Sequence, residues 1–289
     1  MPQLITLDTT HVADCLRLSD QAGWNQVAAD WELLLAPGHA FGFADRGKLV
    51  ATALVFPYPP EFAWISMVLV DEEWRRQGLA SQLMRACLDR AEYLGLAPVL
   101  DATEAGRPVY ERLGFVTGER IVRMEASGVR PAPGREGAGR TDGVIRPVTE
   151  EDLERLSEWD AVRFGASRSR VLRDLRRRKP GAAFVCEQDD EIRGFVLARD
   201  GRRSTQIGPL VADDRDAAVA LVELGLVGLQ SCDDSEITID VPADQVGFVD
   251  CVEQRGFILR REFVRMAKRV DIPRGKPTDN FAVAGPELG

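Results

Sequence analysis

The sequence predicts an α/β (α+β) protein in which one fold occurs twice in tandem, and three observations carry that reading. Strand-length apolar runs alternate with helix-length amphipathic ones between residues 4 and 124. A stretch rich in glycine, proline and charge, residues 127–143, then breaks the series, and from Val144 the order starts again. Lastly, Arg112-Leu113-Gly114-Phe115 has a counterpart in Gln254-Arg255-Gly256-Phe257, and Val122-Arg123-Met124 in Val264-Arg265-Met266, both at an offset of 142 residues without a gap. The expected division is a domain at 1–126, a linker at 127–143 and a second domain at 144–289. A length of 289 residues favours two domains independently.

Residues 4–8 read as a strand, after which Thr9 or Thr10 can cap a helix with Val12, Cys15, Leu16 and Leu18 inward. Gly23-Trp24-Asn25-Gln26 forms a polar, aromatic turn, and a second helix covers 27–35, with Trp31 in the core, until Pro37-Gly38 breaks it. Residues 41–44 and 49–57 make two strands about the Asp45-Arg46-Gly47-Lys48 turn, a hairpin signal. A further strand at 65–70 leads through a polar turn into a helix with Leu79, Leu83, Ala86, Cys87, Ala91 and Leu94 at spacings of three and four. A strand at 97–102, a short helix at 108–113 and a strand at 115–124 close the first copy. The GREGAG run at 134–139 matches a phosphate loop only superficially, since no strand precedes it and no helix follows. In the second copy, a strand at 144–147 precedes a helix that Thr149 can cap, with Asp152 at capping-box spacing. Strands at 182–187, 192–198 and 206–211, a helix at 215–229, a strand at 236–241 and a final helix and strand complete it.

Composition narrows the function. A net charge of −9 argues against a nucleic-acid binder, and no apolar run approaches the ~18 residues of a membrane span. The N-terminal residues lack the basic-then-apolar order of a secretory signal. Five scattered cysteines without C-x-x-C spacing read as buried thiols and fit a reducing cytoplasm, so a cytoplasmic location is expected. His11 and His39 are the only histidines, which leaves no His-rich metal site, and no metal is expected.

Chemistry concentrates in residues 64–94, where strand, glycine-containing turn and helix follow one another. That layout lets backbone amides at a helix N-terminus converge on an anion, which points to a phosphate site.

These residues resemble a known family. Val68-Leu69-Val70 followed by Arg75-x-x-Gly78-x-Ala80 looks like the acyl-CoA signature of the GNAT N-acetyltransferase superfamily. Thr103-x-x-Gly106-x-x-x-Tyr110-x-x-x-Gly114-Phe115 is similar to its second motif, with Thr103 where Asn is frequent. More weakly, Phe164-Gly165-Ala166-Ser167-Arg168, Ile207-Gly208-Pro209-Leu210 and Phe281-Ala282-Val283-Ala284-Gly285 resemble the C-terminal domain of its two-domain, YitH-type branch. The resemblance implies two GNAT-like folds, each a mixed, largely antiparallel sheet flanked by helices, and acetyl-CoA as cosubstrate. It further implies that Val68, Leu69 and Val70 expose main-chain groups to the pantetheine arm, while the amides of Arg76, Gln77, Gly78, Leu79, Ala80 and Ser81 receive the pyrophosphate. Gly78 would let the phosphate approach the backbone; Arg75 either adds charge or braces the turn.

Acetyl transfer to an amine needs a neutral amine, a polarised thioester carbonyl and a proton for the departing thiolate. On the resemblance, the Val68 N–H polarises the carbonyl, and Tyr110 is the general acid or else a packing residue whose hydroxyl contacts the cofactor. Asp101 and Glu104 flank the expected cleft as candidate bases, with a water relay as the alternative. Trp24 and Asn25 lie in the loop that often closes over the acceptor; they either contact it or plug the helices. In the second copy, matching Leu69-Val70 to Leu210-Val211 sets Asp216 opposite Arg75, Val219 opposite Gly78 and Leu221 opposite Ala80, and Tyr110 falls on Val252. The second copy is thus expected to be degenerate. Its Arg-rich 168–179 segment reads as a solvated helix, or as a contact with an acidic acceptor or the ribose phosphate. The functional expectation is an N-acetyltransferase acting on a small primary amine by direct attack, with the second copy shaping the acceptor pocket, as monomer or homodimer. The alternative is a non-catalytic acyl-CoA sensor.

Overall fold

The first half of the chain runs β1 (Gln3–Leu7), α1 (Val12–Gln21), α2 (Ala28–Leu35), β2 (Ala40–Asp45), β3 (Lys48–Tyr58), β4 (Phe62–Val70), α3 (Leu79–Tyr93), β5 (Ala97–Thr103), α4 (Arg107–Arg112) and β6 (Val116–Ser127). The second half repeats that order as β7 (Val144–Pro147), α5 (Leu153–Phe164), α6 (Ser169–Arg178), β8 (Phe184–Gln188), β9 (Glu191–Arg199), β10 (Thr205–Ala212), α7 (Arg215–Gln230), β11 (Glu236–Pro242), α8 (Val246–Glu253) and β12 (Ile258–Ala267). It then adds one short strand, β13 (Asn280–Ala282). This is a computed structural model, and it describes residues 2–128, 141–230, 236–268 and 275–289. Most of the expected linker, its GREGAG run and Cys232 lie outside the described residues.

Local chemistry accounts for the elements. α3 turns Leu79, Leu83, Met84, Cys87 and Ala91 onto the sheet, where they pack with Phe41, Val50 and Ile65. Each leucine or methionine among them contributes on the order of 2 kcal/mol by leaving water. The two expected caps differ in detail. Asp8, not Thr9 or Thr10, accepts the Thr10 amide at 2.9 Å and starts the short 3-10 turn before α1. At the second copy, Thr149 donates to Asp152 from both its amide and its hydroxyl, while Arg146 grips the same carboxylate, so Asp152 is the organising residue.

The halves share one sheet, ordered β1-β2-β3-β4-β5-β12-β6-β11-β10-β9-β8-β7. Each half gives its last strand to the other: β12 pairs antiparallel with β5, β6 pairs antiparallel with β11, and β12 and β6 lie side by side. Two ion pairs lock the exchange at related places. Arg265 on β12 grips Asp101 on β5 at 2.9 and 3.0 Å, and Arg123 on β6 grips Asp240 on β11 at 2.8 Å twice. Both carboxylates are fully buried, so each is held by a bidentate guanidinium rather than by water. Pulling the halves apart would strip the edges of β5 and β11 and bare both acids.

The core is shared as well. One cluster joins Trp31, Leu34, Tyr58 and Trp64 of the first half to Leu156, Phe164, Leu172 and Phe195 of the second. Trp31 is completely buried, with its indole N–H on the Ser19 hydroxyl at 3.1 Å. Polar contacts cross the same seam. Asp30 accepts the Val27 amide on one oxygen and Arg178 and Arg199 on the other, each at 2.6 Å. Arg199 reaches on to Glu287 and Gln206, and Gln206 to Asp240. The Arg-rich 168–179 segment is therefore only partly the solvated helix expected from sequence: Arg168 is buried in a bidentate pair with Asp160, and Arg178 ties α6 to Asp30. No helix among the described residues is long and apolar enough to cross a membrane.

Candidate active site

β4 and β5 pair in parallel only at Phe62, Ala63 and Trp64, opposite Ala97, Pro98 and Val99, and then diverge. A bulge in β4 helps to open this wedge. The register with β3 passes from Leu54–Ser66 to Thr52–Leu69, so Met67 and Val68 together face Ala53. Met67 takes a φ of 55°, and its carbonyl accepts the Thr52 hydroxyl at 2.9 Å. Val68 lines the resulting cleft, whereas Leu69 and Val70 are paired again with β3. The cleft holds about 560 Å³.

At the wide end of the wedge, residues 71–78 form a turn into α3, and Arg75, Arg76, Gln77 and Gly78 are exposed. The first helical bond runs from the Gln82 amide to the Gly78 carbonyl, so the amides of Gly78, Leu79, Ala80 and Ser81 are not spent inside the helix. Arg76 and Gly78 both have positive φ, 63° and 81°, which curls the turn into a concave set of N–H groups. Glycine at 78 is required by that conformation more than by crowding, because a Cβ there would meet only the Gln82 side chain, at 4.0 Å. Arg75 braces the turn, donating from Nε to the Val70 carbonyl at 3.3 Å.

Tyr110 projects from α4 into the same cleft and packs edge-on against Phe115. The missing side chain of Gly106 makes room for it: a Cβ there would lie 3.1 Å from the tyrosine ring. Burial pushes the phenol up to about 12, so Tyr110 holds its proton across the neutral range. Thr103 lines the cleft and accepts the Gly106 amide at 3.3 Å.

Three of the remaining candidates stand differently from the sequence reading. Asp101 faces the cleft, but its carboxylate is held by Arg265; burial raises its pKa and the guanidinium pulls it back. Glu104 is exposed and faces a shallow neighbouring groove with Leu259 and Glu262. Asn25 lines the cleft, yet its amide is committed: Nδ2 donates to the Ser204 carbonyl, and Oδ1 accepts the amides of Arg203 and Ser204. It clamps the loop between β9 and β10, and Gly201 is needed there because a Cβ would lie 2.2 Å from Asn25 Nδ2. Trp24 lines the cleft beside it.

The second half was expected to shape the acceptor pocket, but the residues that line the cleft from it were not named from sequence. Arg203, Ser204, Thr238, Arg260, Arg261 and Phe263 face the cleft, as do Pro286 and Glu287 beyond β13. Segment 283–289 crosses into the first half, where Tyr58 donates to the Leu288 carbonyl at 2.6 Å and Trp64 to the Pro286 carbonyl at 2.9 Å. The family resemblance had singled out 281–285, but nothing in its composition tells where it docks.

In the second half the corresponding wedge is closed. β10 and β11 pair at three positions and diverge, and β10 carries a matching bulge between Ile207 and Leu210. β13 then pairs with β10 at Leu210 and Val211, while the Val283 amide donates to the Asp240 carbonyl on β11. A Cβ on Gly208 would lie 2.0 Å from the Val283 carbonyl, so glycine admits this filling strand. The long turn is gone too. α7 begins three residues after β10 ends, and Asp214 takes the Ala217 amide at 2.8 Å, placing a carboxylate where an anion would otherwise sit. Val252, opposite Tyr110, is buried and aliphatic.

A split parallel pair, a helix-capping amide turn and a tyrosine at the cleft together define an acyltransferase of the GNAT type. The chain belongs to the GNAT acetyltransferase family, which it matches twice, as the acetyltransferase (GNAT) family over residues 9–115 and as the acetyltransferase (GNAT) domain over 156–282. It is 27% identical over 257 residues to the uncharacterized N-acetyltransferase YitH of Bacillus subtilis, covering 88% of this chain and 87% of that protein. It is 23% identical over 272 residues to the holothin acyltransferase of a Pseudoalteromonas species, covering 91% and 88%. In fold it resembles a putative acetyltransferase from Pyrococcus horikoshii, with a TM-score of 0.81, 21% identity and coverage of 100% and 96%. It also resembles a tandem GNAT protein from the clavulanic acid biosynthesis pathway, with a TM-score of 0.61, 15% identity and coverage of 92% and 98%.

Proposed function

We propose that the first half binds acetyl-CoA in the β4–β5 wedge and transfers its acetyl group to a primary amine by direct attack. When bound, acetyl-CoA supplies the acetyl group activated as a thioester. The amides of Gly78 to Ser81, at the positive end of the α3 dipole, receive the pyrophosphate. Main-chain groups at the Met67–Val68 bulge face the pantetheine arm and the thioester, where the Val68 N–H polarises the carbonyl. Tyr110 holds the proton that the departing thiolate takes.

One observation carries the reading: among the described residues an open wedge and an amide turn unspent by the helix coincide once, and the equivalent place in the second half is filled by β13. Calorimetry should accordingly give one acetyl-CoA per chain. Thiol release in the presence of amines tests the transfer, and binding without release from any amine would favour a sensor instead. Gly78→Ala places an L-residue at a φ of 81°, at a cost of about 1–2 kcal/mol. It is expected to weaken acetyl-CoA binding about tenfold by calorimetry while leaving the far-UV spectrum intact.

A further inference from the structure

Two residues that line the cleft carry buried polar atoms without a partner, Gln26 Oε1 and Ser66 Oγ. Gln26 is 6% exposed and Ser66 8%, so water does not simply satisfy them, and an orphaned polar atom at such depth is costly. The orientation of the Gln26 amide follows from its neighbour. Its Nε2 donates to Glu287 Oε1 at 3.0 Å, and a carboxylate can only accept, which turns the carbonyl oxygen away as a free acceptor. The Glu287 charge is matched by Arg199. What remains is a neutral pole, one carbonyl and one hydroxyl, suited to the N–H groups of an uncharged amine.

The rim of the same cleft has the opposite character. Among the charged groups that line it, Asp101 is paired with Arg265, Glu287 with Arg199, Arg123 with Asp240, and Glu125 with Arg260 at 3.4 Å. That leaves Arg203 and Arg261, both exposed and with no ion pair among the described residues. The rim thus keeps two unmatched cations in a protein whose net charge is −9. They come from the second half, as does Glu287.

Resting on the acetyl-transfer reading above, we propose that the acceptor is an acid-bearing primary amine. Gln26 and Ser66 hold the amine as free base, and Arg203 and Arg261 hold a carboxylate or phosphate on the same molecule. The second half, without an open wedge of its own, then acts as the specificity wall of the first.

Matched probes test this with the full-length protein: 4-aminobutyrate against butylamine, and O-phosphoethanolamine against ethanolamine. Binding is read by calorimetry on the protein saturated with CoA, and turnover by thiol release from acetyl-CoA, so a probe that is not acetylated still reports. The acid-bearing member of each pair should be preferred about tenfold, the sum of two exposed charge contacts of somewhat under 1 kcal/mol each. Arg203→Ala with Arg261→Ala should bring that ratio to about one. Gln26→Leu should raise KM for both members alike and leave the ratio standing. A ratio of one in the wild-type protein overturns the inference, as does a preference that survives the double arginine variant. Failure of the acid-bearing probes to bind at about millimolar concentration overturns it as well. Failure to bind acetyl-CoA would instead strike the function proposed above.

Discussion

Replacing Tyr110 by phenylalanine is expected to lower kcat for acetyl transfer by about 100-fold or more, with acetyl-CoA affinity changed by no more than about twofold. The ring stays, so its packing on Phe115 and beside Gly106 is kept, and only the proton donor is lost. Because burial raises this phenol to about 12, the acid form persists through neutral and mildly alkaline pH. The sign follows directly: kcat in the wild-type protein should show no alkaline fall owing to Tyr110 until pH approaches that value. Thiol release measured from about pH 6 to about pH 10 checks both parts. Equal turnover by the variant would remove Tyr110 from the acid role and leave it a packing residue.

The part of the site built from contiguous sequence was legible, and the reason is geometric. The 64–94 stretch is one strand, one turn and one helix, so spacing alone sets the relation between Val68, Gly78 and Ala80. The repeated order of elements was legible for the same reason, since periodicities of two and about 3.6 are local. Strand exchange was not. β6 and β12 carry the same Val-Arg-Met pattern at an offset of 142 residues, so either one matches the edge of β5 equally well in local terms. A signal was nevertheless present. Asp101 and Asp240 each have apolar residues on both sides, and Arg123 and Arg265 each sit between a valine and a methionine, which asks for two buried pairs. What sequence cannot say is whether each pair forms within a half or across.

Asn25 and Glu287 were hidden for a related reason. Asn25 looked available because a polar residue in a loop is ordinarily solvated, and its partners lie about 180 residues away at Arg203 and Ser204. Glu287 joins Gln26 across a separation of 261 residues, and only the docking of segment 283–289 brings them together. The cleft therefore divides by origin. The proposed cofactor end is local and belongs to the first half, while the proposed acceptor end is assembled from both.

Asp101→Asn is the change expected to cost most in stability, about 3 kcal/mol or more, because it leaves Arg265 without its bidentate partner inside the sheet. Denaturant unfolding would show it as a lower midpoint with an unaltered slope. The loss should be sharply non-additive. Asp101→Leu combined with Arg265→Met removes both charges of the bidentate pair together and is expected to recover most of the stability, since only the longer 3.4 Å contact of Arg265 with Glu119 is then lost. Kinetics on the same two proteins then separate a strut from a base. If Asp101 only ties β5 to β12, the double variant regains turnover along with its fold at temperatures below its melting point. A double variant that is folded, binds acetyl-CoA normally and stays inactive would return Asp101 to candidacy as the base. The same pair of substitutions at Asp240 and Arg123 provides the control, because that ion pair makes the equivalent strand contact on β11 and β6.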